Sequence, residues 1–138
     1  MSYELLDHTA DAKFRARGAT LEEAFSEAVR AMTAIAADPS KLETEMTFHV
    51  TVKAKTLQNL LFDLLDEILF LHDTERFLPA RAEALTIVER DGAFVLDATL
   101  LGDDAAKWPA NLKAVTYSEM IVEQEPDGTW LIQAVIDI

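Results

Sequence analysis

The sequence predicts an α+β fold in which two helices pack on mainly antiparallel sheet, as one domain over residues 1–138. Three observations predict it. Two segments carry apolar residues at three- and four-residue spacing, the signature of a helix with one buried face. The segments around them alternate apolar and polar residues with period two, as half-buried strands do. Two turn signals, Asp91-Gly92 and Pro126-Asp127-Gly128, each fall between two such runs and mark hairpins.

Residues 2–7 and 12–17 read as short strands. In the second, Phe14 and Ala16 alternate with Lys13, Arg15 and Arg17, and Gly18 closes the run. The first helix starts at Thr20. Thr20-Leu21-Glu22-Glu23 is a capping box, in which the hydroxyl takes the Glu23 amide and the Glu23 carboxylate reaches back. Leu21, Ala24, Phe25, Ala28, Met32 and Ile35 form its apolar stripe, and Asp38-Pro39 is the stop signal. Residues 47–54 form a strand with Phe48, Val50, Val52 and Ala54 on one face. Thr56 caps the second helix, which runs to about Asp73 on a wide stripe of Leu57, Leu60, Leu61, Leu64, Leu65, Ile68, Leu69 and Leu71. After Pro79, hairpin 83–90/93–100 and hairpin 113–124/129–138 follow, separated by a loop from Gly102 to Leu112. The order is two strands, helix, strand, helix, four strands.

Composition narrows the chemistry. There is no cysteine, which excludes disulfides, thiolate metal sites and cysteine nucleophiles. The apolar stretches are interrupted by acids too often to span a bilayer, and the N-terminus lacks a signal-peptide core. The cytosol is the expected compartment. Lys+Arg number 12 against 25 Asp+Glu, a net charge of −13 spread along the chain. That field repels a phosphate backbone. The densest basic cluster, Lys13, Arg15 and Arg17, is small, so direct nucleic-acid binding is disfavoured. A basic protein partner or a hard cation suits the charge.

No HExxH, GxSxG, phosphate-binding loop or dinucleotide fingerprint occurs. His49 and His72 read as solvated or locally bonded. Asp63, Asp66 and Glu67 lie within one helical turn and could hold a metal, but a solvated helix face is the preferred reading. His8, Thr9 and Asp11 form a polar cluster between two strands, readable equally as a ligand site or a side-chain-stabilised bend. Asp137 and the terminal carboxylate of Ile138 put two hard oxygen groups side by side at the end of a core strand, readable also as an ordinary surface terminus. Trp108 is either a partner anchor or a lid over a core edge.

Asp7-His8-Thr9-Ala10-Asp11 resembles the signature of the archease family. The likeness continues through Leu21-Glu22-Glu23-Ala24-Phe25, Leu71-His72-Asp73-Thr74-Glu75 and Lys113-Ala114-Val115-Thr116-Tyr117, and ends on Val135-Ile136-Asp137-Ile138. The resemblance implies a non-catalytic accessory protein of the tRNA-splicing RNA ligase RtcB, promoting its guanylylation and multiple turnover. It also implies an RNA methyltransferase as an alternative, chaperone-like partnership. It implies a calcium or similar divalent site at Asp11, Asp137 and the Ile138 carboxylate. Two departures stand out: Ser118 replaces the family's usual histidine, and the stretch from Gly102 to Pro109 lacks the family's acidic, histidine-bearing pattern. A different class of function, a metal-dependent hydrolase with Asp11 and Asp137 as ligands and His8 as base, needs a substrate pocket at those residues.

Overall fold

A computed structural model describes residues 1–6, 11–108 and 112–138. The elements are β1 (Ser2–Leu6), β2 (Ala12–Gly18), α1 (Leu21–Ala34), β3 (Met46–Ala54), α2 (Leu57–Glu75), β4 (Phe77–Arg90), β5 (Ala93–Asp104), β6 (Ala114–Gln124) and β7 (Trp130–Asp137). The strands form two sheets, ordered β1-β2-β7-β6 and β3-β5-β4, and every pairing is antiparallel. The predicted class holds, with the strands divided between two sheets. Each helix packs on both: α1 on β2 and β4, α2 on β6 and β3.

Both helices begin where their threonines allow. Thr20 Oγ1 accepts from the Glu23 amide at 3.1 Å, and the Glu23 carboxylate reaches back to the Ala19 amide at 2.8 Å, one residue beyond the usual capping box. Thr56 accepts from the Asn59 amide at 3.1 Å. The α1 stripe meets the core through Ala24, Phe25, Ala28 and Met32, and the α2 stripe through Leu60, Leu61, Leu64, Leu65 and Ile68. Helix α1 ends at Ala34, ahead of Asp38-Pro39; Asp38 instead caps a short 3-10 turn, Pro39–Lys41. Thr33, buried at the end of α1, donates to the Pro79 carbonyl at 2.6 Å and ties the helix to β4.

Strand β4 starts six residues earlier than the alternation suggests. Arg76 caps α2 in the left-handed region (φ 52°), and the chain turns directly into the strand at Phe77. Strand β5 likewise runs on to Asp104, so the first three residues of the expected loop are sheet, and a short 3-10 turn, Ala105–Lys107, follows. Pro79 is tolerated because β4 is an edge strand, where a missing donor costs no ladder bond. Opposite it stands Gly102, where a Cβ would collide with the Leu78 carbonyl and lie 2.7 Å from the Phe77 ring. The Asp91-Gly92 turn has φ values of 52° and 76°, both positive as a tight hairpin requires.

Strand β7 is paired on both sides and buried on both faces from Leu131 to Ile136. Its inner face adds Ile132, Ala134 and Ile136 to the core. Its outer face is covered by long side chains from β2. Arg15 donates to Gln133 at 2.8 Å, Lys13 pairs with Glu119 at 3.0 Å, and Arg17 reaches Glu4 and Glu125. The small basic cluster is thus spent on apolar cover and acidic partners.

Candidate functional site

Strands β2 and β7 run antiparallel from Ala12 opposite Ile136 to Gly18 opposite Trp130. Asp11 immediately precedes Ala12 and Asp137 immediately follows Ile136, so the two acids flank the last pair of this register. They lie at the same end of the β2–β7 pair, with Ile138 beyond. Both acids are half-buried, and Ile138 is exposed. The corner is braced from its other side, where β6 pairs Ala114 with Asp137 and the Lys113 amide donates to the Asp137 carbonyl at 2.8 Å. His8 and Thr9, the remaining members of the N-terminal cluster, lie outside the described residues, as does Pro109.

The donor chemistry of this corner is hard oxygen, which suits calcium or magnesium. Among the described residues, no three His, Asp or Glu side chains gather closely enough to hold a metal. Asp11 and Asp137 each supply one side-chain carboxylate. A cavity of about 400 Å3 lies elsewhere, between α1, the 3-10 turn and β4, lined by Arg30, Ser40, Leu42 and Ala80–Ala82. It includes neither Asp11 nor Asp137, so it is not the pocket a hydrolase built on those acids requires. Of the other candidates, His49 is exposed beside Asp97 at 3.6 Å, and a His72 ring nitrogen lies 3.1 Å from the Phe77 carbonyl at the end of α2.

Two features escaped the sequence reading. Strand β6 carries a bulge, because Thr116 pairs with Val135 and Ile121 with Gln133, leaving residues 117–120 opposite Ala134 alone. Glu119 sits there at φ 54°, and its carbonyl accepts from the buried Gln133 side chain at 2.7 Å. Tyr117 leaves the bulge to stack on Phe62, and Ser118, one of the departures from the family pattern, is exposed beside it. The second feature is Asp103, a carboxylate 2% exposed. It accepts from Trp108 Nε1 at 3.1 Å, the Lys107 ammonium at 3.0 Å, and the amides of Glu43 at 3.2 Å and Asp104 at 2.8 Å. Burial alone would push this carboxyl up; the hydrogen bonds from Trp108, Lys107, Glu43 and Asp104 outweigh it and hold the pKa at about 2. Trp108 packs on the core, as the lid reading expects.

The geometry defines a class: a small two-sheet α+β domain in which the second strand of the chain pairs with the last. Residues 3–138 match the Archease protein family (MTH1598/TM1083). The chain is 36% identical to the protein archease of Methanosarcina barkeri, with 99% of this chain and 95% of that one aligned. It is 34% identical to that of Pyrococcus furiosus, covering 99% and 98%. A solution structure of a Methanobacterium thermoautotrophicum protein superposes with TM-score 0.83 at 33% identity, over 99% of this chain and 98% of that one. The Thermotoga maritima crystal structure described as an archease and possible chaperone has the same fold, with TM-score 0.57 at 16% identity over 96% and 94%. The chain belongs to the archease family.

Proposed function

We propose that this protein is an accessory factor of an RtcB-type RNA ligase, promoting the ligase's guanylylation and multiple turnover without catalysing ligation itself. Membership of the archease family supports the reading, as does the description of a relative as a possible chaperone, which points to assistance rather than catalysis. The observation that supports the mechanism is the β2–β7 register, which pairs Ala12 with Ile136 and so brings their chain neighbours Asp11 and Asp137 to the same end of two strands. These two carboxylates, with that of Ile138, hold a hard divalent cation such as calcium. Calcium takes 6–8 oxygen ligands, so the protein's donors leave positions to be filled from outside. The bound cation supplies concentrated positive charge at a surface that is otherwise acidic.

The test is a ligation time course with RNA ends in excess over ligase, with and without this protein. Activation predicts a single turnover or less without it and sustained turnover with it, and faster ligase guanylylation in a GTP-labelling assay. Full multiple turnover by the ligase alone would overturn the reading. The same assay with an RNA methyltransferase in place of the ligase tests the alternative partner implied by the family resemblance.

A further inference from the structure

The outward face of α2 carries a charge pattern that works against the helix. Asp63, Asp66, Glu67, Asp73 and Glu75 are its charged residues, with no lysine or arginine among its 19 residues. Acids stabilise the first turn of a helix and destabilise the last. Here the first turn has none, and Asp73 and Glu75 occupy the last. Asp63 lies three and four residues from Asp66 and Glu67, spacings at which like charges repel. Partial burial, and then the Asp66 carboxylate, push the Asp63 carboxyl above its ordinary value. Among the described residues, no ion pair neutralises any of these five acids.

The same face bears aromatic side chains standing in solvent. Phe70 is 57% exposed and Tyr117 56%. Tyr117 is not loose. Its ring lies flat on Phe62, centroids 4.2 Å apart and planes at 6°, and its hydroxyl donates to Asn59 at 3.0 Å. Asn59, Asp66, Phe70 and Asp73 recur at helical spacing along one outward line of about 21 Å, opposite the buried Leu60, Leu61, Leu64, Leu65 and Ile68. An aromatic ring fixed in advance loses little freedom on docking. Apolar anchors framed by charge are what interface hot spots are made of.

We infer that this face, with Phe70 and Tyr117 framed by Asp63, Asp66 and Asp73, docks a protein surface presenting arginine or lysine side chains around an apolar depression. Charge selects this occupant. A second copy of the chain brings a net charge of −13 of its own, and a phosphate backbone is repelled in the same way. A cationic protein surface relieves the repulsion along α2 and covers both rings. The identity of the partner rests on the function proposed above, and the RtcB-type ligase is the probe.

The experiment measures binding of the full-length protein to the ligase by calorimetry at two salt concentrations. Phe70→Ala and Tyr117→Ala each weaken the complex roughly tenfold to thirtyfold. The pair Asp66→Asn with Asp73→Asn weakens it several-fold and flattens its salt dependence. Val88→Ala, at an exposed apolar residue on the β4–β5 hairpin, leaves binding unchanged. Thermal melts of Phe70→Ala and Val88→Ala match the parent, since those side chains are exposed. Asp66→Asn with Asp73→Asn melts no lower than the parent. Tyr117→Ala, which gives up the Phe62 stack and the Asn59 hydrogen bond, is compared at a temperature where its own melt shows it folded. If the parent binds the ligase and the α2 variants bind equally well, the docking surface is wrong and the function stands. If the parent binds the ligase in no condition, the partner is wrong and the docking proposal falls with it. If Val88→Ala weakens binding as much as the α2 variants do, the surface lies on the other sheet.

Discussion

The indole nitrogen of Trp108 donates to the carboxylate of Asp103 at 3.1 Å, and that one carboxylate also receives the Lys107 ammonium and the Glu43 and Asp104 amides. The segment after β5 is therefore held down by a buried anion at the strand's end. Asp103→Asn keeps the shape and removes the charge. It should lower unfolding free energy by about 2 kcal/mol, the usual worth of hydrogen bonds to a charged group. Urea titration followed by Trp fluorescence reads it, and an unchanged midpoint would show the cluster to be structurally idle.

The same carboxylate makes stability depend on acid. Its folded pKa of about 2 lies below the ordinary 3.8. The contribution is therefore fully present above pH 3.8 and lost as pH falls through about 2. The stability gap between the parent and Asp103→Asn should stay constant above pH 5 and close between roughly pH 4 and 2. A gap that widened on acidification would contradict this assignment.

Asp63 has the opposite sign. Burial and the Asp66 charge raise its pKa in the folded protein, so ionising it costs stability as pH rises past the ordinary carboxylate value. Asp63→Asn should raise the melting temperature slightly at pH 7 and leave it unchanged near pH 3. A lower melting temperature at pH 7 would mean the carboxylate makes a favourable contact.

Ala84 is exposed at φ 51°, in the register shift between Glu83 and Thr86 of β4. Left-handed backbone strains any residue with a Cβ. Ala84→Gly should stabilise the protein by about 0.5–1 kcal/mol, since the relief exceeds the added freedom of the unfolded chain. Thermal denaturation measures it, and a loss of stability would refute the strain.

Asp11→Asn and Asp137→Asn each remove a charged oxygen at the sheet corner with little change of shape. One glycine after Ile138 would shift the terminal carboxylate by some 3–4 Å. Each of the three should weaken calcium binding on the order of tenfold, read by calorimetry on the isolated protein. Unchanged affinity in all three would send the search for a cation site elsewhere.

Much of the architecture is written locally. Thr20 and Thr56 cap helices because a hydroxyl and an amide three residues on are neighbours whatever the fold. Asp91-Gly92 turns because both residues tolerate positive φ. What the sequence conceals depends on partners far along the chain. The division of the strands into two sheets follows from β2 choosing β7, over a hundred residues away. The early start of β4 hinges on Arg76 taking a conformation usually left to glycine. Asp103 reads as one more surface acid until Trp108, Lys107 and Glu43 are seen to surround it. Asp137 announces itself as an acid closing an apolar strand, but only the β2–β7 register brings it to the end of the sheet where Asp11 precedes β2.

Strand β7, paired on both sides and covered on both faces, has a consequence in time. Its amides should be among the last to exchange with deuterium, opening only when the whole molecule does. Asp137 stands at the end of that slow segment, while the exposed Tyr117 rides on a bulge in the neighbouring strand. The end of β7 thus keeps its place for as long as the fold survives, and the bulge that carries Tyr117 is tied to that strand through the Gln133 side chain.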